Sequence, residues 1–297
     1  MPADRQLRQK GKAAAGPSAR QRARERIAAE RAARQRAEAR RRILVTGGAI
    51  TAVLAVFAAL VAIKLTAAPA KQTGSEAAAP ASLVRQVTSV PASTLASISP
   101  GQAVTPLRKV QAAGPPLTTG GKPTIVFVSE ESCPFCAAER WSLAVALSHF
   151  GTWSGLGITH SSATDVYPNT ATLSFRNAHY TSTKLTLRTT ELADSAGRPL
   201  QSQTALDTQV IGRYDVPPYV NSADQSGAVP FLDIANQYVV AGAQYNPQIL
   251  AGLSATQIAA QLRNPSSRVA QAIDASAQVI ITHINQVLRD QAAHKGA

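Results

Sequence analysis

Residues Thr124–Gly151 read TIVFVSEESCPFCAAERWSLAVALSHFG, and the stretch changes period part-way along. Its first six residues, Thr124–Ser129, form a nearly continuous apolar run of the kind that fits a strand covered on both faces. Beyond it Trp141, Leu143, Ala144, Leu147 and Phe150 recur at helical spacing, and Gly151 suits the stop. A strand, a turn and a helix in this order predict an α/β fold. The turn holds Cys133-Pro134-Phe135-Cys136, and these are the only two cysteines among 297 residues.

Two cysteines at i and i+3, the first at a helix start, suit reversible disulfide chemistry. The helix N-terminus favours a thiolate on the first sulfur, and the second lies one turn in, within reach of a mixed disulfide on the first. Cys133 is therefore the expected nucleophile and Cys136 the expected resolving residue. Pro134 fits the first helical turn, where a missing N–H costs nothing, and Phe135 is neutral. No basic residue separates the cysteines, and Glu130 and Glu131 lie just upstream. The expected lowering of the Cys133 pKa is accordingly smaller than in a strongly oxidising site. Glu130 and Glu131 either relay protons to Cys136 or are solvated acids at a strand end.

Other readings of the pair compete. Zinc needs two further ligands, and His149, His160, His179, His283 and His294 show no zinc-ligand spacing, so no metal and no cofactor is expected. A static disulfide is possible outside the cytoplasm, yet closing a four-residue loop removes little chain entropy. A reduction potential below about −300 mV would suit that static bond, and roughly −120 to −270 mV an exchanger.

Downstream, residues 171–176 and 183–189 alternate as strands do and 201–212 reads as a weak helix, which marks 164–228 as an insertion. Phe231–Ile234 and Tyr238–Ala241 flank Asn236-Gln237 and predict a hairpin. Two helices are expected to end the chain. One is capped by Ser254 and runs to Arg263; the other opens at Pro265 and Ser266 and carries Val269, Ile273, Ile280, Ile284 and Val287 on one face.

Upstream, the formal charge of +13 is uneven: residues 1–42 hold 14 Lys or Arg against 4 acids. The remainder is close to neutral and makes a poor polyanion surface, so no nucleic-acid partner is expected. Residues 43–65 contain the uncharged run Ile43–Ile63, close to the ~20 residues that cross a bilayer as a helix. Arg40, Arg41 and Arg42 precede it, which orients the N-terminus to the cytoplasm and exports the rest. Ala68-Pro69-Ala70 offers a cleavage pattern, but both the basic lead and the apolar run are oversized for a signal peptide. The tail 1–42 reads as a topology signal or as an attachment to anionic headgroups. Residues 66–120, with seven prolines, read as a linker. Within it Leu83, Val84, Val87, Val90, Leu95 and Ile98 suggest that 82–110 packs on a domain of residues 121–297, with a short helix near Pro91.

The stretches GKPTIVFVSEESCPFCAAERWSLAVALSHFGTWSGL (121–156) and VPFLDIANQY (229–238) resemble the thioredoxin-like domain-of-unknown-function family 929 of archaea and actinobacteria. The resemblance covers roughly residues 85–290. It implies a thioredoxin-like fold, here with an insertion before the cis-proline strand and a single transmembrane helix ahead. It further implies that Pro230 is a cis-proline facing the cysteines. The loop at Val229 and Pro230 would then receive a substrate strand by backbone hydrogen bonds. Trp141 either lines that surface or packs in the core. The implied activity is dithiol–disulfide exchange with exported proteins, recharged by a membrane partner such as a vitamin K epoxide reductase homologue. The alternative is a non-catalytic binding module with a structural disulfide.

Overall fold

A computed structural model describes residues 76–102, 105–111, 113–221 and 226–295. The basic tail and the expected membrane helix 43–65 lie outside the described residues. Among the described residues no helix is long and apolar enough to cross a membrane.

A two-residue strand β1 (Ala77–Ala78) leads into helices α1 (Ala81–Thr88) and α2 (Ala92–Ala96). Each helix follows a proline, Pro80 and Pro91, whose lack of an N–H costs nothing ahead of a first turn. Leu83 and Val87, one turn apart on α1, are fully buried, as are Val90, Leu95 and Ile98 almost completely. The chain then supplies two short strands, β2 (Arg108–Lys109) and β3 (Thr118–Thr119). The described residues of 76–120 thus form short elements. The prolines cut this stretch into short elements, and its apolar residues still seat each piece on the core.

Strand β4 (Lys122–Ser129) is the centre of the main sheet, followed by helix α3 (Pro134–Ser148). Ile125 and Phe127 join one apolar cluster with Trp141 and Leu143 of α3, while Val126 and Val128 join another with Val210 and Tyr214. Alternate residues of β4 therefore feed cores on opposite faces, which is why its sequence is apolar throughout.

The segment after α3 makes four strands, β5 (Thr152–Ser154), β6 (Gly157–His160), β7 (Ala171–Ser174) and β8 (His179–Thr181). They pair among themselves and with β1, outside the main sheet. Trp153 stacks on Phe175 at 4.9 Å and its Nε1 donates to Ala144 O (3.3 Å), which seats these hairpins on α3. Strand β9 (Thr186–Glu191) then returns parallel to β4, in register from Thr124↔Thr186 to Ser129↔Glu191. The excursion between α3 and this parallel strand therefore spans 152–181, whereas the segment expected as an insertion, 164–228, contains β9 itself. Its position was hidden because β9 reads Thr-Leu-Arg-Thr-Thr-Glu, polar for a core strand, with its buried end occupied by Thr190 and Glu191.

Helix α4 (Ala205–Tyr214) begins with a capping box between Thr204 and Asp207 and places Val210 and Tyr214 in the core. Strands β10 (Phe231–Ile234) and β11 (Tyr238–Ala241) form the expected hairpin, with β10 antiparallel to β4. At its turn Ala235 and Asn236 have φ of 56° and 58°, and Asn236 N–H donates to Asp233 Oδ1 at 2.7 Å. The sheet order is β2-β11-β10-β4, with β9 on the other side of β4 and β3 pairing with its first residues. Helix α5 (Ala255–Gln261) is capped by Ser254 in a box with Gln257. Helix α6 (Arg268–Lys295) buries Val269, Ile273, Ile280, Ile284 and Val287. The architecture is mixed α/β, with α3 and the C-ends of β4 and β9 meeting at the cysteines.

Candidate active site

Cys133 is the N-cap residue of α3, in extended conformation, and its Sγ accepts from Cys136 N–H at 3.3 Å. Pro134 occupies the first helical position, as its fixed φ permits. The first sulfur therefore sits where the free N–H groups and the dipole of the helix favour negative charge. Hydrogen bonding from the Cys136 side chain holds the Cys133 thiol below its ordinary pKa. The main-chain N–H groups of Cys136 and Phe135 and the charge of Arg140 add to this against the cost of burial.

Cys136 is fully buried one turn deeper, and its Sγ accepts from Glu130 N–H at 3.4 Å. Burial, then the neighbouring Cys133, raises this thiol well above its ordinary value. Both cysteines are free. The pair thus comprises one half-buried sulfur inclined to ionise and one buried sulfur inclined to stay protonated.

From the other side, Cys133 Sγ lies 3.7 Å from the carbonyl oxygen of Val229, and the Val229–Pro230 peptide is cis. Pro230 leads directly into β10, which places it opposite the end of β4. A cleft of about 340 Å³ opens beside this contact, lined among others by Phe135, Val229, Arg108, Tyr219 and Ala241. Arg108 is held across it by Pro218 O (2.9 Å) and Asn221 Oδ1 (2.7 Å). Phe135 borders the cleft. It is 38% exposed, one of two large apolar side chains exposed among the described residues, and packs edge-on against Tyr167 at 5.8 Å. Ser162 N–H donates to Ser132 O (2.8 Å), fixing the β6–β7 loop beside the site.

Trp141 does not line this surface. It is fully buried, and its Nε1 donates to Ala171 O at 3.1 Å, so the ring belongs to the core between α3 and β7. Nor are both acids solvated. Glu130 accepts from Ser132 Oγ (3.1 Å) and serves Cys136 through its main chain. Glu131 is 1% exposed and accepts from Ser174 Oγ (2.6 Å), and burial raises its pKa.

Residues that the motif alone did not mark lie just beneath. Arg140, four positions after Cys136, is fully buried with its Nε 2.8 Å from Glu191 Oε1 and its Nη2 2.5 Å from Glu191 Oε2. Ser129 Oγ completes the group by donating to Glu191 Oε2 at 2.9 Å. The i+4 spacing from Cys136 was the available signal, since it puts both side chains on one helix face. The partner at Glu191 had no local signal, being 51 residues away. Among the described residues no group of three or more His, Cys, Asp or Glu side chains is placed to hold a metal ion.

The family model described as Domain of unknown function (DUF929) matches residues 108–286. The chain belongs to this family. The DUF929 match begins at β2 and ends within α6, so it contains the main sheet, the cysteine turn and the Val229–Pro230 loop, while α1 and α2 precede it. No curated protein and no solved structure matches this DUF929 chain.

Proposed function

We propose that this DUF929 protein is a thiol–disulfide oxidoreductase of the thioredoxin-like class that exchanges disulfides with exported proteins. The observation that carries the reading is the Cys133 sulfur at the start of α3, facing the Val229 carbonyl at 3.7 Å, with Cys136 one turn behind. The order strand, helix, parallel strand, antiparallel hairpin, with a cis-proline opposite the cysteine turn, supports the thioredoxin-like assignment.

In this reading the Cys133 thiolate attacks a substrate disulfide R–S–S–R′. A Cys133–S–S–R bond forms, and R′–S⁻ leaves and takes a proton from water. Cys136 then gives up its proton and attacks Cys133 Sγ; the bond to R breaks, and R–S⁻ takes up that proton. The substrate gains two electrons and the pair becomes Cys133–S–S–Cys136. The reverse sequence oxidises a substrate dithiol. The cleft beside Val229 holds the substrate backbone, and Phe135 contacts its side chains. Residues 43–65 anchor the catalytic unit on the extracytoplasmic face, and a membrane redox partner of the vitamin K epoxide reductase type recharges the pair.

The test is trapping. Cys136→Ala is expected to accumulate mixed disulfides through Cys133 with exported proteins, seen as reductant-sensitive high-mass species that Cys133→Ala lacks. A Cys136→Ala chain that traps nothing, together with a wild-type potential below about −300 mV, would overturn the proposal.

A further inference from the structure

Helix α3 places two ionisable side chains one turn past Cys136, and they are held differently. Glu139 Oε2 accepts from the Gln244 N–H (3.0 Å), next to the loop after β11. Arg140 reaches the main sheet instead, where Glu191 of β9 and Ser129 of β4 take its Nε and Nη2. Its Nη1 is buried and, among the described residues, has no hydrogen-bond partner. A buried guanidinium nitrogen left open is costly at rest. It is also a fixed donor, already desolvated, for a charge that appears only during reaction.

Cys136 is where such a charge must appear. It lies four residues earlier on the same helix, so the two side chains are neighbours on one face, about 5–6 Å apart at Cβ. Both are fully buried, and Cys136 Sγ receives a single N–H, from the residue that follows Ser129. To attack a mixed disulfide, this sulfur has to carry negative charge where water does not reach it.

We infer that Arg140, fixed by Glu191 and Ser129, is the positioning residue of the resolving step, its unpaired Nη1 meeting the negative charge on Cys136 Sγ. The inference rests on the exchange reading above. Electrostatics agree: Arg140 favours the thiolate at both cysteines, against the burial that dominates at Cys136, and Glu131 and Glu191 are the acids facing the guanidinium. The atoms and electrons balance as in that reading. Arg140 exchanges no proton; it lowers the cost of the intermediate charge.

The experiment uses the reduced full-length chain and the aromatic disulfide dithiobis-nitrobenzoate. A first release of thionitrobenzoate marks attack by Cys133, and a second marks resolution by Cys136. Arg140→Met combined with Glu191→Leu removes the charge without stranding its partner, a replacement that buried pairs often tolerate. In that variant the second release is expected to slow about tenfold or more, the equivalent of one pKa unit, with the first far less affected. Glu191→Gln leaves the arginine's charge uncompensated and is expected to accelerate the second release. Opposite signs in the two variants are the required result. Equal rates in a folded double variant, or slowing in both, would make Arg140 a packing residue and overturn the inference. Should the double variant not fold, the sign of Glu191→Gln decides alone: acceleration supports the inference and its absence overturns it. A wild-type chain that releases only the first equivalent would instead overturn the exchange reading, a different outcome from any variant result.

Discussion

Asp274, Glu139 and Asp233 are buried carboxyl groups that form no ion pair among the described residues. Burial pushes them up to about 8, about 7 and about 7 respectively. Each is protonated in the folded chain over a range where the unfolded chain has released its proton. At these groups the folded state thus binds more protons between about pH 4 and pH 7–8, so their contribution to stability is fully present below that window and falls as pH rises through it. The slope is about 1.4 kcal/mol per pH unit for each such group. Asp274→Asn cannot ionise, so its urea midpoint is expected to fall less between pH 5 and pH 8 than that of the wild type; an equal fall would refute the assignment. At this scale the sequence was legible where chemistry is local. Cys133, Pro134 and Cys136 declare themselves by spacing, whereas Val229–Pro230 was marked by the family resemblance. Trp141 and Glu131 were ambiguous because burial depends on the β6–β7 hairpin that covers them, and nothing within a few residues of either announces that cover.

Among the elements, β4, α3, the β10–β11 hairpin and α6 were readable because each carries an apolar period over its whole length. Strand β9 was not readable as a core strand. Its buried end is Glu191, whose charge is answered by Arg140 on a different element, and a pattern built on apolar periodicity cannot register such a pair. The strands between α3 and β9 depend on close backbone approach. Gly155, between β5 and β6, has φ +68°, and a Cβ there would lie 2.5 Å from Asn177 O. Gly155→Ala is therefore expected to cost more than the ~1 kcal/mol of a left-handed alanine. Chemical denaturation measures it, and an unchanged midpoint would contradict this packing.

For the molecule as a whole, residues 76–102, ahead of the DUF929 match, belong to the described fold. Leu83 and Val87 of α1 lie in the main apolar cluster with Ile258 of α5, and Arg263 Nη2 donates to Ser89 O at 2.9 Å. Leu83→Ala is expected to destabilise the chain by about 2–5 kcal/mol, the range for a buried leucine. A cost near zero would return α1 to the status of a spacer. The apolar residues from Leu83 to Ile98 had pointed to this packing, although the prolines of the region interrupt the long periods by which helices are recognised.

The strand at one margin of the main sheet is β2, only two residues long, and both of its side chains, Arg108 and Lys109, are exposed. A second copy offered to that margin meets a very short row of open peptide groups flanked by two cations. Such a border blunts strand-on-strand growth. At this margin, next to the cleft that Arg108 lines, another copy therefore finds little backbone to build on.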